Sequence, residues 1–152
     1  MANTQAVCTS FKSELMQGMH VFSATNPART VNTADTFKAA LYLASATVNA
    51  STTAYSATGE VTGTNYTAGG VTVTNATAPT TSGTTAYWTP SGNFSWTTVT
   101  LSTSFDCCLL YNSSQSNKAV AVYTFTAQTV SAGNFTLTMP TNDSTNALLR
   151  IA

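Results

Sequence analysis

The sequence predicts an all-β fold, a single antiparallel β-sandwich of the jelly-roll or immunoglobulin-like kind with an N-terminal α-helical arm. The central observation is the run F-D-C-C-L-L-Y at residues 105–111. Successive side chains of a strand point to opposite faces, and both faces here are apolar apart from Asp106, which predicts a strand covered on both sides. Seven to nine short segments separated by turn signals predict the sandwich around it, and a closed barrel fits nearly as well.

The beginning of the chain carries a helical pattern. Val7, Phe11 and Leu15 recur every four residues, which predicts a helix over residues 4–17 that ends at Gly18. An amphipathic pattern shows only that one face is buried. The helix therefore either packs on the edge of its own β-domain or docks as an arm on a neighbouring subunit.

Length and charge together predict one domain that associates with other proteins. At 152 residues the chain can bury roughly 70% of its unfolded surface, which is enough for one domain. We divide the chain into a helical and irregular arm over residues 1–35 and a β-sandwich domain over residues 36–152. Five basic and five acidic side chains cancel, and charged residues make up 7% of the chain, against about 25% in a typical soluble domain. Because a neutral, hydroxyl-rich surface does not repel a neighbour, we expect a homo-oligomer, with a trimer favoured, or a member of an assembly.

Alternation of apolar and polar residues divides the β-sandwich domain into strands. The predicted strands are residues 36–43, 60–62, 71–74, 85–89, 94–101, 105–111, 118–126, 135–139 and 148–151. Turns are expected at residues 78–83, 102–104, 112–114 and 131–133. The apolar phase slips within residues 94–101, and a bulge near Thr97 and Thr98 would place the large apolar side chains of this segment on one face.

Charge distribution and hydropathy argue against several classes of partner. The basic residues are spread along the chain without a run that would neutralise phosphates, so we expect no nucleic-acid partner. No stretch approaches the roughly 18 apolar residues that a membrane helix needs, so we expect no membrane insertion. The N-terminal sequence M-A-N-T-Q-A-V-C lacks the basic and apolar regions of a secretion signal, which predicts synthesis in a cytoplasm.

No pattern of catalytic or metal-binding residues is visible, and we expect neither an enzyme nor a cofactor nor a metal ion. His20 is the one histidine of the chain, and a structural or surface role is far commoner for such a residue than a catalytic one. The carboxylates are dispersed, with no spacing that pairs them. Gly69 and Gly70 predict a turn and not a phosphate loop, because no Gly-Lys-Ser/Thr follows them.

The three cysteines, Cys8, Cys107 and Cys108, allow two interpretations. Neighbours in a strand point to opposite faces, so a bond between Cys107 and Cys108 is geometrically awkward. In a cytoplasm we expect reduced, buried thiols that act as small hydrophobes. The alternative is that Cys8, on the helix, crosslinks to a strand cysteine or to another subunit after release into an oxidising medium.

Two segments stand out as sequence motifs: T-F-K-A-A-L-Y at residues 36–42 and G-E-V-T-G-T-N-Y-T-A-G-G at residues 59–70. In their order along the chain they resemble a group of small structural proteins encoded by tailed bacteriophages. The similarity continues through further segments and spans most of the chain: residues 52–57, 84–90, 105–112 and 135–140. The resemblance implies a virion component made in the cytoplasm of a bacterial host, and it does not say which component.

A compact, neutral β-domain with an arm fits a capsid decoration (cement) protein, which bridges subunits of a major capsid protein by burying surface between neighbours. The expected contacts come from the arm, at Phe11, Leu15, Met16, Met19 and Phe22. The first alternative is a tail tube, adaptor or baseplate protein with the same fold arranged in a ring, and tail proteins would then be its partners.

The second alternative is a carbohydrate-binding module for host recognition. Five aromatic residues could stack on sugars: Tyr55, Tyr66, Tyr87, Trp88 and Trp96. Large aromatic side chains dominate burial in most domains, so the core is the commoner place for them. An exposed planar row of these residues would favour the sugar-binding interpretation.

Overall fold

The structure is a computed structural model that describes residues 2–23 and 33–152, so residues 24–32 of the predicted arm, including the basic residue Arg29, lie outside the described residues. Two antiparallel sheets share a hydrophobic core, and a short helix lies near the N-terminus. The predicted all-β sandwich with an N-terminal helix is therefore confirmed. In chain order the elements are β1 (Ala6–Val7), α1 (Thr9–Met16), β2 (Phe37–Leu43), β3 (Val71–Thr72), β4 (Thr80–Ser82), β5 (Thr85–Trp88), β6 (Phe94–Asn112), β7 (Lys118–Leu137) and β8 (Leu149–Ile151).

Strand β6 lies in the middle of the larger sheet, whose order is β1-β7-β6-β2-β3, while the smaller sheet has the order β4-β5-β8. Cys108 of β6 lies opposite Leu41 of β2 on one side and Tyr123 of β7 on the other. Apart from Asp106, every side chain of residues 105–111 is at most 2% exposed. The run that predicted a strand covered on both sides is thus the centre of the fold.

The predicted bulge lies in the N-terminal half of β6. The pairing with β7 shifts between Trp96 and Val99, and Thr98 adopts a positive φ of 53°. Asn134 accepts a 2.8 Å hydrogen bond from the backbone N–H of Thr98, and Asn65 donates one of 2.9 Å to its carbonyl oxygen. The bulge keeps the large apolar side chains of this segment on the buried side, where all are at most 3% exposed: Phe94, Trp96, Val99 and Leu101.

Two predicted turns are wrong, because β6 and β7 run through them as strands of 19 and 20 residues. Residues 102–104 lie inside β6, and residues 131–133 lie inside β7. The register between the two strands shifts at both places, on either side of Leu101. Serine, threonine and glycine mark bulges here and not turns. At a bulge the backbone departs locally from extended geometry, and the pairing of the two strands continues on the far side.

A third turn is shorter than predicted, and one predicted strand is missing. Residues 78–83 contain β4, and Ser82 of β4 lies opposite Thr85 of β5, which leaves a loop of two residues. Gly83 in that loop has a φ of +58°, the left-handed conformation that tight hairpin loops require. Residues 60–62 form only an isolated bridge to β2, at Glu60 and Tyr42, with one backbone hydrogen bond on either side of it: from Leu43 to Gly59 and from Val61 to Leu41.

The N-terminal helix is shorter than predicted and lies on its own domain. It begins only at Thr9, because strand β1 occupies the start of the predicted helix and pairs with β7. Pairing with the sheet satisfies backbone groups that the first turn of a helix leaves free. Cys8 is fully buried and Phe11 is 2% exposed. The helix therefore packs on the edge of its own β-domain, the first of the two alternatives.

Candidate interaction groove

An open groove lies between α1 and the smaller sheet, and we term it the α1–β8 groove. It has a volume of about 860 Å³, within the range of sites that hold small ligands or a few side chains. The lining residues are Val7, Phe11, Lys12, Leu15, Met16, Phe22, Pro79, Ala86, Tyr87, Trp88, Leu149, Arg150, Ile151 and Ala152. All of them except Lys12 and Arg150 present apolar or aromatic side chains, so the groove suits an apolar occupant.

Two large hydrophobic side chains are left exposed within residues 2–23 and 33–152, and both line this groove. Met16, at the end of α1, is 86% exposed, and Ile151, at the end of β8, is 55% exposed. Exposed apolar side chains scattered singly over a surface are ordinary, whereas a contiguous apolar patch on a soluble domain marks an interaction site. The meeting of these two residues at one groove makes it the candidate functional site.

Aromatic packing holds the inner side of the groove in place. Phe22 stacks on Phe37 with ring centroids 4.6 Å apart and meets Trp88 edge-on at 4.8 Å. The indole N–H of Trp88 reaches the side-chain oxygen of Asn75 at 3.2 Å and the carbonyl oxygen of Thr77 at 3.0 Å. The groove therefore has a pre-formed inner surface made of core residues, which lowers the entropic cost of binding.

Four of the five arm residues predicted as contacts line the groove. Phe11 is buried, Leu15 and Phe22 are half-buried, and Met16 is exposed. Met19 is half-buried and lies outside the lining. Strands β5 and β8 contribute to the same surface, which no sequence pattern predicts. The one local signal is the short apolar segment at residues 148–151, and its pattern predicts only a strand.

A buried polar network fixes the end of α1 and the residues after it. Glu14 accepts hydrogen bonds from Lys118 at 2.7 Å, across 104 sequence positions, and lies 2.8 Å from the ring of His20. Asn112 contacts the other ring nitrogen of His20 at 3.1 Å and donates a 2.7 Å bond to Asp35. Burial raises the pKa of Glu14, but the hydrogen bonds and charges of Lys118 and His20 outweigh it and lower the pKa below 4.5. His20 thus serves the packing of α1 against the turn between β6 and β7.

The three cysteines are free thiols, and all are fully buried. Burial, with a smaller contribution from the charge of Glu14, raises the pKa of Cys8 to about 11. Burial, helped by Asp106 and Cys8, raises the pKa of Cys107 to about 12, and burial raises that of Cys108 well above 9.0. Protonated, enclosed thiols behave as small hydrophobes, while the crosslink through Cys8 stays a prediction.

The most distinctive motif, G-E-V-T-G-T-N-Y-T-A-G-G, surrounds a buried carboxylate. Glu60 is 6% exposed and accepts a 2.6 Å bond from the hydroxyl group of Tyr55 and a 2.8 Å bond from the backbone N–H of Gly69. A Cβ atom at Gly70 would lie 1.8 Å from the carbonyl oxygen of Ala39, so no larger residue fits between this loop and β2. Structural requirements therefore account for the glycines and the carboxylate of the motif.

The aromatic residues of the sugar-binding alternative lie in different places. Trp88 is 2% exposed and Trp96 is 3% exposed, and both belong to the core. Tyr55 stacks on Tyr111 with centroids 4.8 Å apart, and Tyr66 is half-buried against Glu60. Tyr87 lines the α1–β8 groove and is half-buried. No planar exposed row is formed by these five residues.

Comparisons with family models, with curated proteins and with solved structures gave no match to this chain. Within the described ranges, no group of three or more His, Cys, Asp or Glu side chains is arranged to hold a metal ion. None of the helices in the described part of the chain is long and apolar enough to cross a membrane.

Proposed function

We propose that the protein is a structural component of a tailed-bacteriophage virion, specifically a capsid decoration (cement) protein without catalytic activity. The observation that carries the binding part of this proposal is that Met16 and Ile151, which are both exposed, meet at one apolar groove. A groove of this kind serves docking, because covering it removes apolar surface from water. The virion part rests on the sequence resemblance centred on residues 59–70.

The character of the rest of the surface supports assembly. Strand β4 exposes Thr80, Thr81 and Ser82, and β7 exposes a neutral stretch at residues 126–129. Such surfaces pack against neighbours without charge repulsion, and a cement protein works by burying them at the junctions of a shell. Copies of the protein would associate with each other, a trimer being the favoured oligomer, and with the major capsid protein.

The decisive experiment compares particles that carry a groove variant with particles that carry a matched surface variant. In the double variant Met16→Asp and Ile151→Asp, two carboxylates replace apolar contacts worth about 1.5–3 kcal/mol each, so the amount of protein per particle should fall at least about tenfold. The control, Thr58→Asp with Thr103→Asp, adds the same charge to exposed positions outside the groove lining and should leave occupancy unchanged. Quantitative mass spectrometry of purified particles measures occupancy.

Electron microscopy of the same particles locates the chain. Copies spread over the head shell agree with the proposal, whereas a ring of copies at the tail would establish the tube, adaptor or baseplate alternative. Purified particles that contain no copy at all, from a host that synthesises the protein, would overturn the virion proposal. Equal occupancy by the groove variant and the wild type would overturn the role of the groove.

A further inference from the structure

From the charges around the groove we infer that its occupant is an apolar segment of a different protein, one that carries carboxylate side chains, and not a second copy of this chain. This inference rests on the proposed function, because it specifies the partner of the same docking surface. Two observations carry it: two cations lie at the groove, and every carboxylate side chain of the protein already has a partner within the fold.

The charged side chains of the groove are both positive. Lys12 lies on α1 and Arg150 lies on β8, and each is exposed. No aspartate or glutamate belongs to the lining. An apolar segment that enters between the helix and the strand therefore meets a cation from each of the two elements. Carboxylates beside its apolar residues would pair with these cations, whereas lysine or arginine there would be repelled.

The carboxylate side chains of this protein are already engaged within the fold. Glu14 binds His20 and Lys118, and Glu60 binds two tyrosines and a backbone N–H. Asp35 accepts hydrogen bonds from the backbone of Val21 and from the side chains of Asn112 and Gln115.

The two remaining carboxylates are held by their neighbours as well. Asp106 accepts a 2.6 Å bond from Asn3. Asp143 accepts bonds from the backbone N–H groups of Thr145 and Asn146 and from the side chain of Asn146. These bonds, with a minor contribution from Arg150, lower the pKa of Asp143. A second copy therefore offers the groove no carboxylate side chain that lacks a partner in its own fold, so we take the complementary charge to come from another protein.

The test uses three synthetic peptides that differ only in charge: acetyl-Leu-Glu-Leu-Phe-Glu-Leu-amide and its counterparts with glutamine or lysine in place of glutamate. Fluorescence anisotropy of labelled peptides gives their Kd values for the full-length protein at low and high salt. Two partly desolvated ion pairs predict that the acidic peptide binds about five- to tenfold more tightly than the glutamine peptide, with the difference shrinking at high salt. The lysine peptide should bind most weakly.

A variant pair isolates the two cations. Lys12→Glu with Arg150→Glu changes the net charge by four units and should reverse the preference, so that the lysine peptide binds most tightly. The control carries glutamate at four exposed threonines outside the groove lining and changes the net charge equally: Thr58, Thr67, Thr103 and Thr129. This control should keep the preference for the acidic peptide, which excludes an effect of net charge alone.

The outcomes separate this inference from the proposed function. Equal affinity for the acidic and glutamine peptides overturns the inference, even where the Met16→Asp and Ile151→Asp variant still loses its place on particles. Sedimentation equilibrium tests for a second copy in the groove. If the wild type self-associates and the Met16→Asp and Ile151→Asp variant does not, the occupant is a second copy and the inference is wrong. If the groove variant occupies particles as fully as the wild type does, the proposed docking function of the groove is wrong instead.

Discussion

The hydroxyl group of Tyr66 donates a hydrogen bond of 2.7 Å to Oε1 of the buried Glu60. The same oxygen of Tyr66 accepts a 3.0 Å bond from the backbone N–H of Leu41 in β2. One side chain thus joins the loop that contains the most distinctive motif to the sheet. The motif therefore has a structural role that the stability of variants can measure.

Tyr66→Phe should lower the free energy of unfolding by about 1–3 kcal/mol, because it removes both bonds and leaves the backbone N–H of Leu41 without this partner. Tyr87→Phe is the matched control, since Tyr87 makes no side-chain hydrogen bond to any residue that the structure describes. It should change stability by less than about 0.5 kcal/mol. Urea unfolding followed by circular dichroism measures both. Equal values for the two variants would contradict a role of the hydroxyl group.

A pair of glycine variants separates backbone strain from steric clash. Gly70 and Gly83 both have positive φ, +72° and +58°, but a Cβ would lie 1.8 Å from the carbonyl oxygen of Ala39 at Gly70 and in open space at Gly83. Gly83→Ala should cost about 1–2 kcal/mol from the left-handed conformation alone. Gly70→Ala should cost about 4 kcal/mol or more, and the variant should be largely unfolded. Similar thermal midpoints for the two variants would show that the loop moves away from β2 easily.

The strained residue at the bulge of β6 offers a stabilising substitution. Thr98 is β-branched and has a φ of 53°, a conformation that costs a residue other than glycine about 1–2 kcal/mol. Thr98→Gly should therefore raise the free energy of unfolding by about 0.5–1 kcal/mol, while Thr97→Gly, next to it in the exposed strand, should lower it by a similar amount. Chemical denaturation of both variants is the measurement, and a loss of stability in both would argue against the bulge.

The Glu14 carboxylate should make stability depend on pH in the acid range. Its pKa is below 4.5 in the folded state, because Lys118 and His20 outweigh the effect of burial, so its contribution is present above pH 4.5 and is lost as the pH falls through the folded pKa. Glu14→Gln should be less stable than the wild type near pH 7, and the difference should shrink as the pH falls below 4.5. Unfolding curves across this range test it. A difference that is constant with pH would show that the lost stability has another origin.

The buried thiols should resist alkylation in the native protein. The pKa of Cys8 is raised to about 11 and that of Cys107 to about 12, so neither forms much thiolate at pH 8, and neither is accessible. Iodoacetamide should leave the native protein unmodified over hours and should label all three thiols in urea, as intact mass spectrometry would show. Rapid labelling of Cys8 in the native state would instead favour the crosslinking interpretation.

The sequence predicted features that depend on neighbouring residues. The two-sided burial of residues 105–111 and the bulge at Thr98 follow from the alternation of side chains along an extended chain, which is a local property. The extents of β6, β7 and α1 were predicted less well. Serine and glycine favour turns and bulges alike, and only the presence of a pairing strand decides between them. For the same reason strand pairing at Ala6–Val7 displaced a helix that the local pattern favoured.

What the amino-acid sequence determined by itself is the β-rich class of the fold, its central strand and its nearly uncharged surface, because these depend on composition and on period-two alternation. The tertiary structure decided which distant residues meet. Met16 and Ile151 lie near opposite ends of the chain, yet both line the α1–β8 groove. Such contacts are set by the order and register of strands that pair across long sequence separations, and no local pattern encodes them.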